Sequence, residues 1–207
     1  MNSADSAFQI VHANYLQAIL PTKSCKVNYN CASPIGPNEA GVFLRRESLS
    51  TVFVSPSTMA NDATMRDCGF PTTLSSDILA AMWTKWVMLS SMAAITCLLR
   101  GSVGQVVAVH GGLETVHALI AESSAIATAN GYPQTPEFLA QHTARMTQPG
   151  SALTASMFRD LQKGAPVEVE HILGDFLARG QAHGVETPLL RAAYVQLSIY
   201  SASLERK

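Results

Sequence analysis

The sequence predicts a mainly α chain in which a small, incomplete α/β segment precedes an all-helical domain. Three observations predict it. Before Ser75 the apolar residues form short β-type runs; after it they recur at helical spacing; and glycines and prolines fall where helices would stop and start. A chain of 207 residues can bury an ordinary core in one or two small domains. The expected division is residues 1–74 and residues 75–207.

In the first part, Cys25 to Cys31, Gly41 to Arg46 and Thr51 to Ser55 read as strands, separated by the turn formers Pro34, Gly36, Pro37 and Asn38. Phe8 to Leu20, stopped by Pro21, and Ser57 to Asp67, stopped by Gly69, read as helices. In the second part, Asp77 is placed to cap a long helix through Leu99. Leu113, Val116, Ile120, Ser124 and Ala127 share a face of the next helix, with Gly131 as its stop. Glu137 to Met146 follows Pro136, Ser151 to Gln162 runs to Gly164, and Val167 to His183 ends at Gly184. Thr187 and Pro188 supply an N-cap and a first-turn proline for a last helix through about Leu204.

Composition narrows the partners. The chain is 47% hydrophobic and only 14% charged, against roughly 25% in ordinary soluble domains, so part of its surface is neutral or covered and a homodimer is expected. A net charge of -1 argues against nucleic acid or an anionic membrane as partner. Lys85 splits the apolar run Ile78 to Leu99, leaving less than the ~20 residues a bilayer needs, so that run reads as a buried core helix. No secretory signal is recognised at the N-terminus, and Cys25, Cys31, Cys68 and Cys97 have no metal-ligand or paired spacing; buried reduced thiols in a cytoplasmic protein are expected. His171 and His183 lack a third ligand at fitting spacing, so no metal is expected.

Four pieces in fixed order carry more specific information. They are Asp77-Ile78 followed by Trp83-Thr84-Lys85; Ser156-Met157 followed by Asp160; Glu168 twelve residues after Ser156, with Gly164, Pro166, Ile172 and Gly174 in step; and His183-Gly184 followed by Thr187-Pro188. Together they resemble the C-terminal helical domain of ketopantoate reductases (2-dehydropantoate 2-reductases), and residues 15–74 more weakly resemble the end of that family's Rossmann-type cofactor domain. The resemblance implies NADPH-dependent reduction of a 2-keto acid, 2-dehydropantoate to pantoate or a related substrate.

It also implies roles. Lys85 would be the general acid, its pKa lowered by desolvation in a cleft; Glu168 would bind the substrate hydroxyl and support the lysine; Ser156 would hydrogen-bond the substrate's polar end. Each residue has a plainer explanation. Lys85 could pack its stem on the core and extend its head to water; Glu168, or Glu170 beside it, could be a carboxylate favoured by a helix N-terminus; Ser156 could be a first-turn hydroxyl. Asp160 reads as a helix-end residue in either case.

Two departures qualify the implied activity. Where the family carries asparagines one and two turns beyond the lysine, this chain has Leu89 and Ala93, so substrate identity is open. No Gly-x-Gly-x-x-Gly turn is present: Gly101 to Gly104 and Gly111-Gly112 read as helix-joining loops, and the cofactor domain looks incomplete. NADPH binding by this chain alone is not expected. Two functions therefore stand: a reductase of which this chain carries the substrate domain, or a non-catalytic helical interaction or dimerisation module.

Overall fold

The computed structural model describes residues 52–54, 72–74 and 77–204. The chain divides into two compact units, Met1–Ala81 and Met82–Lys207. In the first, β1 (Val52–Val54) pairs in parallel with β2 (Thr72–Leu74), Phe53 opposite Thr73. The strand expected at Thr51 to Ser55 is β1. β2 was not anticipated. The expected strands Cys25 to Cys31 and Gly41 to Arg46 and the expected helices Phe8 to Leu20 and Ser57 to Asp67 lie outside the described residues.

The rest is helical, and the chain is mainly α as expected: α1 (Ile78–Leu98), α2 (Val103–Val107), α3 (Gly112–Ala129), α4 (Pro136–Met146), α5 (Ser156–Gln162), α6 (Asp175–Ala182) and α7 (Pro188–Leu204). A π-helical turn, Glu170–Gly174, leads into α6. Local chemistry sets most boundaries. Asp77 accepts the Ala80 amide through Oδ1 at 3.0 Å and starts α1, as its position predicts. Thr135 caps α4 by accepting from the Phe138 amide, ahead of Pro136 at the first helical position. Gly131, Gly164 and Gly184 all have positive φ and end α3, α5 and α6 in the same double hydrogen-bond pattern; for α3, Tyr132 N–H reaches the Ala127 carbonyl and Gly131 N–H reaches that of Thr128.

Three expectations needed correction. The Gly101–Gly104 stretch is not merely a joining loop: Ser102 and Gln105 form a reciprocal capping box that opens α2. α5 begins at Ser156 and not at Ser151, because residues 151–153 are engaged with α2: Gly104 and Val103 donate to the carbonyls of Ser151 and Leu153. The buried face of α3 is Val116, Leu119, Ile120, Ser123, Ile126 and Ala127, while Leu113 is 43% exposed.

α1 is the central helix of the second unit. Val87, Ala94, Ile95 and Cys97 are fully buried there, in one core with Leu119, Ile126, Leu173, Phe176, Leu190 and Leu197. Each fully buried Val, Leu, Ile or Phe side chain among them contributes about 1.5–3 kcal/mol of transfer free energy. The helix also buries hydroxyls, and it satisfies them internally: Ser90, Ser91 and Thr96 donate to the carbonyls of Trp86, Val87 and Met92 one turn back. The Ser91 hydroxyl, 2.7 Å from the Val87 carbonyl, also meets His142 Nε2 at 2.8 Å. Burial, aided by Arg145, pushes the His142 imidazole down to about 4, so the ring is neutral in that pair. The Cys97 thiol is pushed up to about 12 by burial, which makes it an inert core residue. Among the described residues no helix is long and apolar enough to cross a membrane.

Candidate functional site around Lys85 and the π turn

Lys85, Leu89 and Ala93 are spaced four residues apart and therefore follow one face of α1. Lys85 is half-buried, and loss of hydration lowers its ammonium from the ordinary lysine value to about 8. Its flanks are aromatic. Trp83 stacks on Tyr132 with ring centroids 5.3 Å apart, Trp86 packs on Phe176 at 5.1 Å, and the Arg179 guanidinium lies over both indoles at 5.8 and 5.5 Å. Leu89 is half-buried and Ala93 is buried, so this face of the helix offers no amide donor beyond the lysine.

Glu168 closes the loop between α5 and α6. The end of α5 is fixed by the Ala165 amide donating to the Asp160 carbonyl, and Tyr200 of α7 donates to the Ala165 carbonyl at 2.7 Å. Asp160 thus serves the helix end, through its main chain. Glu168 is exposed as a residue, yet partial desolvation raises its carboxyl above the ordinary glutamate value; His171 pulls it down and Asp160 pushes it up. Its carbonyl accepts from the Ile172 amide and so opens the helix that continues through the π turn.

That turn is held from two sides. Trp86, next to Lys85, donates its indole N–H to the Ile172 carbonyl at 3.0 Å. Tyr194 of α7 shares its phenolic proton between the two carboxylate oxygens of Glu170, at 3.0 and 3.1 Å. The two glutamates that sequence could not separate are therefore distinct, Glu170 being engaged by Tyr194. Ser156 is the exposed first residue of α5, and the amide of Ala155 before it donates to Thr96 Oγ1 of α1 at 3.3 Å. Trp86 and Thr96 are ten residues apart, or ~15 Å along the helix axis. α1 thus carries the Glu168 segment at its Lys85 end and the Ser156 segment near Ala93. Among the described residues no group of three or more His, Cys, Asp and Glu could hold a metal ion; His171 instead meets Asp175 at 3.9 Å, and His183 ends α6.

Sequence reasoning missed the π turn, Tyr194 and the Trp86 bond. No motif marks a tertiary hydrogen bond spanning 86 residues. The tryptophan two residues before the lysine was legible; the partner of the one after it was not.

The fold and this geometry define a helical domain built on a central helix with a desolvated lysine at one end. Residues 77–201 match the family model described as "Ketopantoate reductase PanE/ApbA C terminal". The chain belongs to the ketopantoate reductase family through that C-terminal domain. It is 26% identical over 129 residues to the uncharacterized oxidoreductase YkpB of Bacillus subtilis, covering 62% of this chain and 43% of that protein. It is likewise 26% identical over 133 residues to the 2-dehydropantoate 2-reductase of Vibrio cholerae, covering 64% and 45%. These matches span less than half the length of either relative. Among solved structures, the dimeric ketopantoate reductase of Staphylococcus aureus aligns with TM-score 0.67 at 20% identity, over 80% of this chain and 60% of that one. D-mandelate dehydrogenase with NADH and anilino(oxo)acetate aligns with TM-score 0.62 at 18% identity, over 75% and 53%.

Proposed function

We propose that residues 75–207 are the substrate half of a 2-keto acid reductase, with Lys85 as general acid and Glu168 and Ser156 as the groups that hold the substrate. The desolvated amine of Lys85 carries this reading. Reduction of a keto carbonyl puts negative charge on its oxygen, and an ammonium whose pKa is about 8 gives up its proton far more readily than one near 10.4. Two general arguments support the substrate assignment. The amine is charged at neutral pH and attracts a carboxylate, and Glu168 stands on the segment that Trp86 ties to the same end of α1.

The substrate in this reading is 2-dehydropantoate or another 2-keto acid. Leu89 and Ala93 favour a less hydroxylated one, because an apolar wall leaves a substrate hydroxyl unpaired at a cost of about 1–3 kcal/mol. NADPH supplies the hydride in such a reaction. Gly104 and Gly112 do not fit it: Gly104 is pressed on the main chain of Ser151 and Gly112 on the carbonyl of Val106, so neither leaves its backbone open to a pyrophosphate. No step here is routed through the dinucleotide. Leu89 and Ala93 favour the second reading, a helical dimerisation or interaction module without catalysis. A homodimer and a cytoplasmic setting belong to either proposal.

The sequence contains two tryptophans, Trp83 and Trp86, both within two residues of Lys85, so tryptophan fluorescence reports on this end of α1. Titrating the full chain with 2-dehydropantoate and with 2-keto acids bearing aliphatic or aromatic groups should give saturable fluorescence changes that Lys85→Met and Glu168→Ala weaken. No response to any keto acid would overturn the substrate reading. A parallel titration with NADPH separates reductase from module: absence of binding removes catalysis by this chain.

A further inference from the structure

We propose that Tyr194 and Glu170 form a positioning latch, which fixes the π turn and thereby aims Glu168 at the Lys85 end of α1. The proposal gives Glu168 a role only on the functional reading above, but the latch itself is a matter of structure. A π turn inserts one residue into a helix, so everything on its N-terminal side is rotated by about 100° relative to an uninterrupted α-helix. Glu168 lies two residues before Glu170–Gly174, and its direction is set by that insertion.

A π turn persists only where tertiary contacts outweigh its poorer geometry. Here the contacts are specific. Glu170 folds back over Gly174, so closely that a Cβ at Gly174 would lie 2.6 Å from Glu170 Oε2 and 3.2 Å from Tyr194 Cε2. Tyr194 then holds both carboxylate oxygens, and Trp86 holds the Ile172 carbonyl between them. The hydrogen bond to Glu170 raises the Tyr194 phenol above its usual value, an effect opposed by Ser198; the phenol therefore keeps its proton and remains a donor. Three elements, α1, α7 and the turn, thus converge on one helical irregularity beside a candidate substrate carboxylate. Tyr194 and Glu170 are positioning residues in this account and act through Glu168.

The test is a 13C NMR titration of the Glu168 carboxyl in the full chain, for the wild type, Tyr194→Phe and Gly174→Ala. The first variant removes only the phenolic oxygen; the second evicts the Glu170 carboxylate from above the turn. Neither changes the charges that act on Glu168, those of His171 and Asp160. Both should lower the Glu168 midpoint toward the ordinary glutamate value, because release from the latch returns the carboxyl to water. A midpoint that is unmoved or raised in variants with wild-type circular dichroism overturns the latch. Repeating the titration with 2-dehydropantoate separates the two proposals. If the variants shift Glu168 and the keto acid does not perturb the wild type, the latch stands and the functional reading fails. If the keto acid shifts Glu168 and the variants do not, the reverse holds.

Discussion

Trp86 donates its indole N–H to the carbonyl of Ile172 at 3.0 Å, so the residue beside the candidate acid and the turn behind the candidate substrate carboxylate are joined by one bond. Trp86→Phe keeps most of the aromatic packing against Phe176 and leaves that carbonyl without its donor. The expected cost is about 1–3 kcal/mol of unfolding free energy, measured by urea denaturation, together with weaker keto-acid binding. Wild-type stability and binding in the variant would show that the bond organises nothing.

Lys85 should destabilise the fold at neutral pH. Its folded pKa, about 8, lies below the ordinary lysine value of 10.5; below pH 8 both folded and unfolded chains carry the proton and the folded state bears the full cost of burying it. Between pH 8 and 10.5 the folded amine loses its proton first, and stability rises with pH. Lys85→Met should therefore be more stable than wild type at pH 7, by about 1–3 kcal/mol, and the advantage should shrink toward pH 10.5. Denaturation across that range checks it. A variant less stable than wild type, or a gap independent of pH, would contradict the burial cost.

His142 gives the opposite limb. Its folded value of about 4 lies below the ordinary 6.5, so as pH falls from 6.5 toward 4 the unfolded chain takes up a proton that the folded chain refuses. Stability should fall by up to about 3 kcal/mol across that window through this group alone. His142→Phe, which keeps a ring beside Phe138, should flatten the loss relative to wild type. Parallel acid-side declines in the two proteins would exclude His142 as the cause.

Glu122 of α3 accepts from the amides of Leu189 and Leu190, at 3.1 and 2.8 Å, and so caps α7 from another helix. Glu122→Ala should cost about 1–2 kcal/mol and Glu122→Gln less, since the amide keeps one acceptor oxygen. Thermal denaturation followed by helical circular dichroism distinguishes them. If Ala is neutral, the Thr187-Pro188 start is sufficient by itself.

The sequence carries the features that are local. Asp77, Thr135 before Pro136, Gly131, Gly164 and Gly184 act within a turn of themselves, and each marks the helix end where the structure has it. Lys85 was legible as an isolated charge in an apolar run, and its half-buried setting agrees with that pattern. What was not legible depends on partners remote in the chain. Glu122 meets α7 across 67 residues, Tyr194 meets Glu170 across 24, and the first residues of the expected Ser151 helix are drawn to α2. A capping box such as Ser102 with Gln105 was local and was hidden by the glycines around it, which resemble a loop.

On the proposed function, Lys85 is a desolvated amine that donates a proton to a 2-keto acid. The most direct test is the NMR titration of the Lys85 Cε–Nζ group in the full chain, with and without 2-dehydropantoate. The account predicts a midpoint near 8 that moves upward when the keto acid's carboxylate binds beside the ammonium. A midpoint at the ordinary lysine value of about 10.4, unmoved by the keto acid, would contradict it.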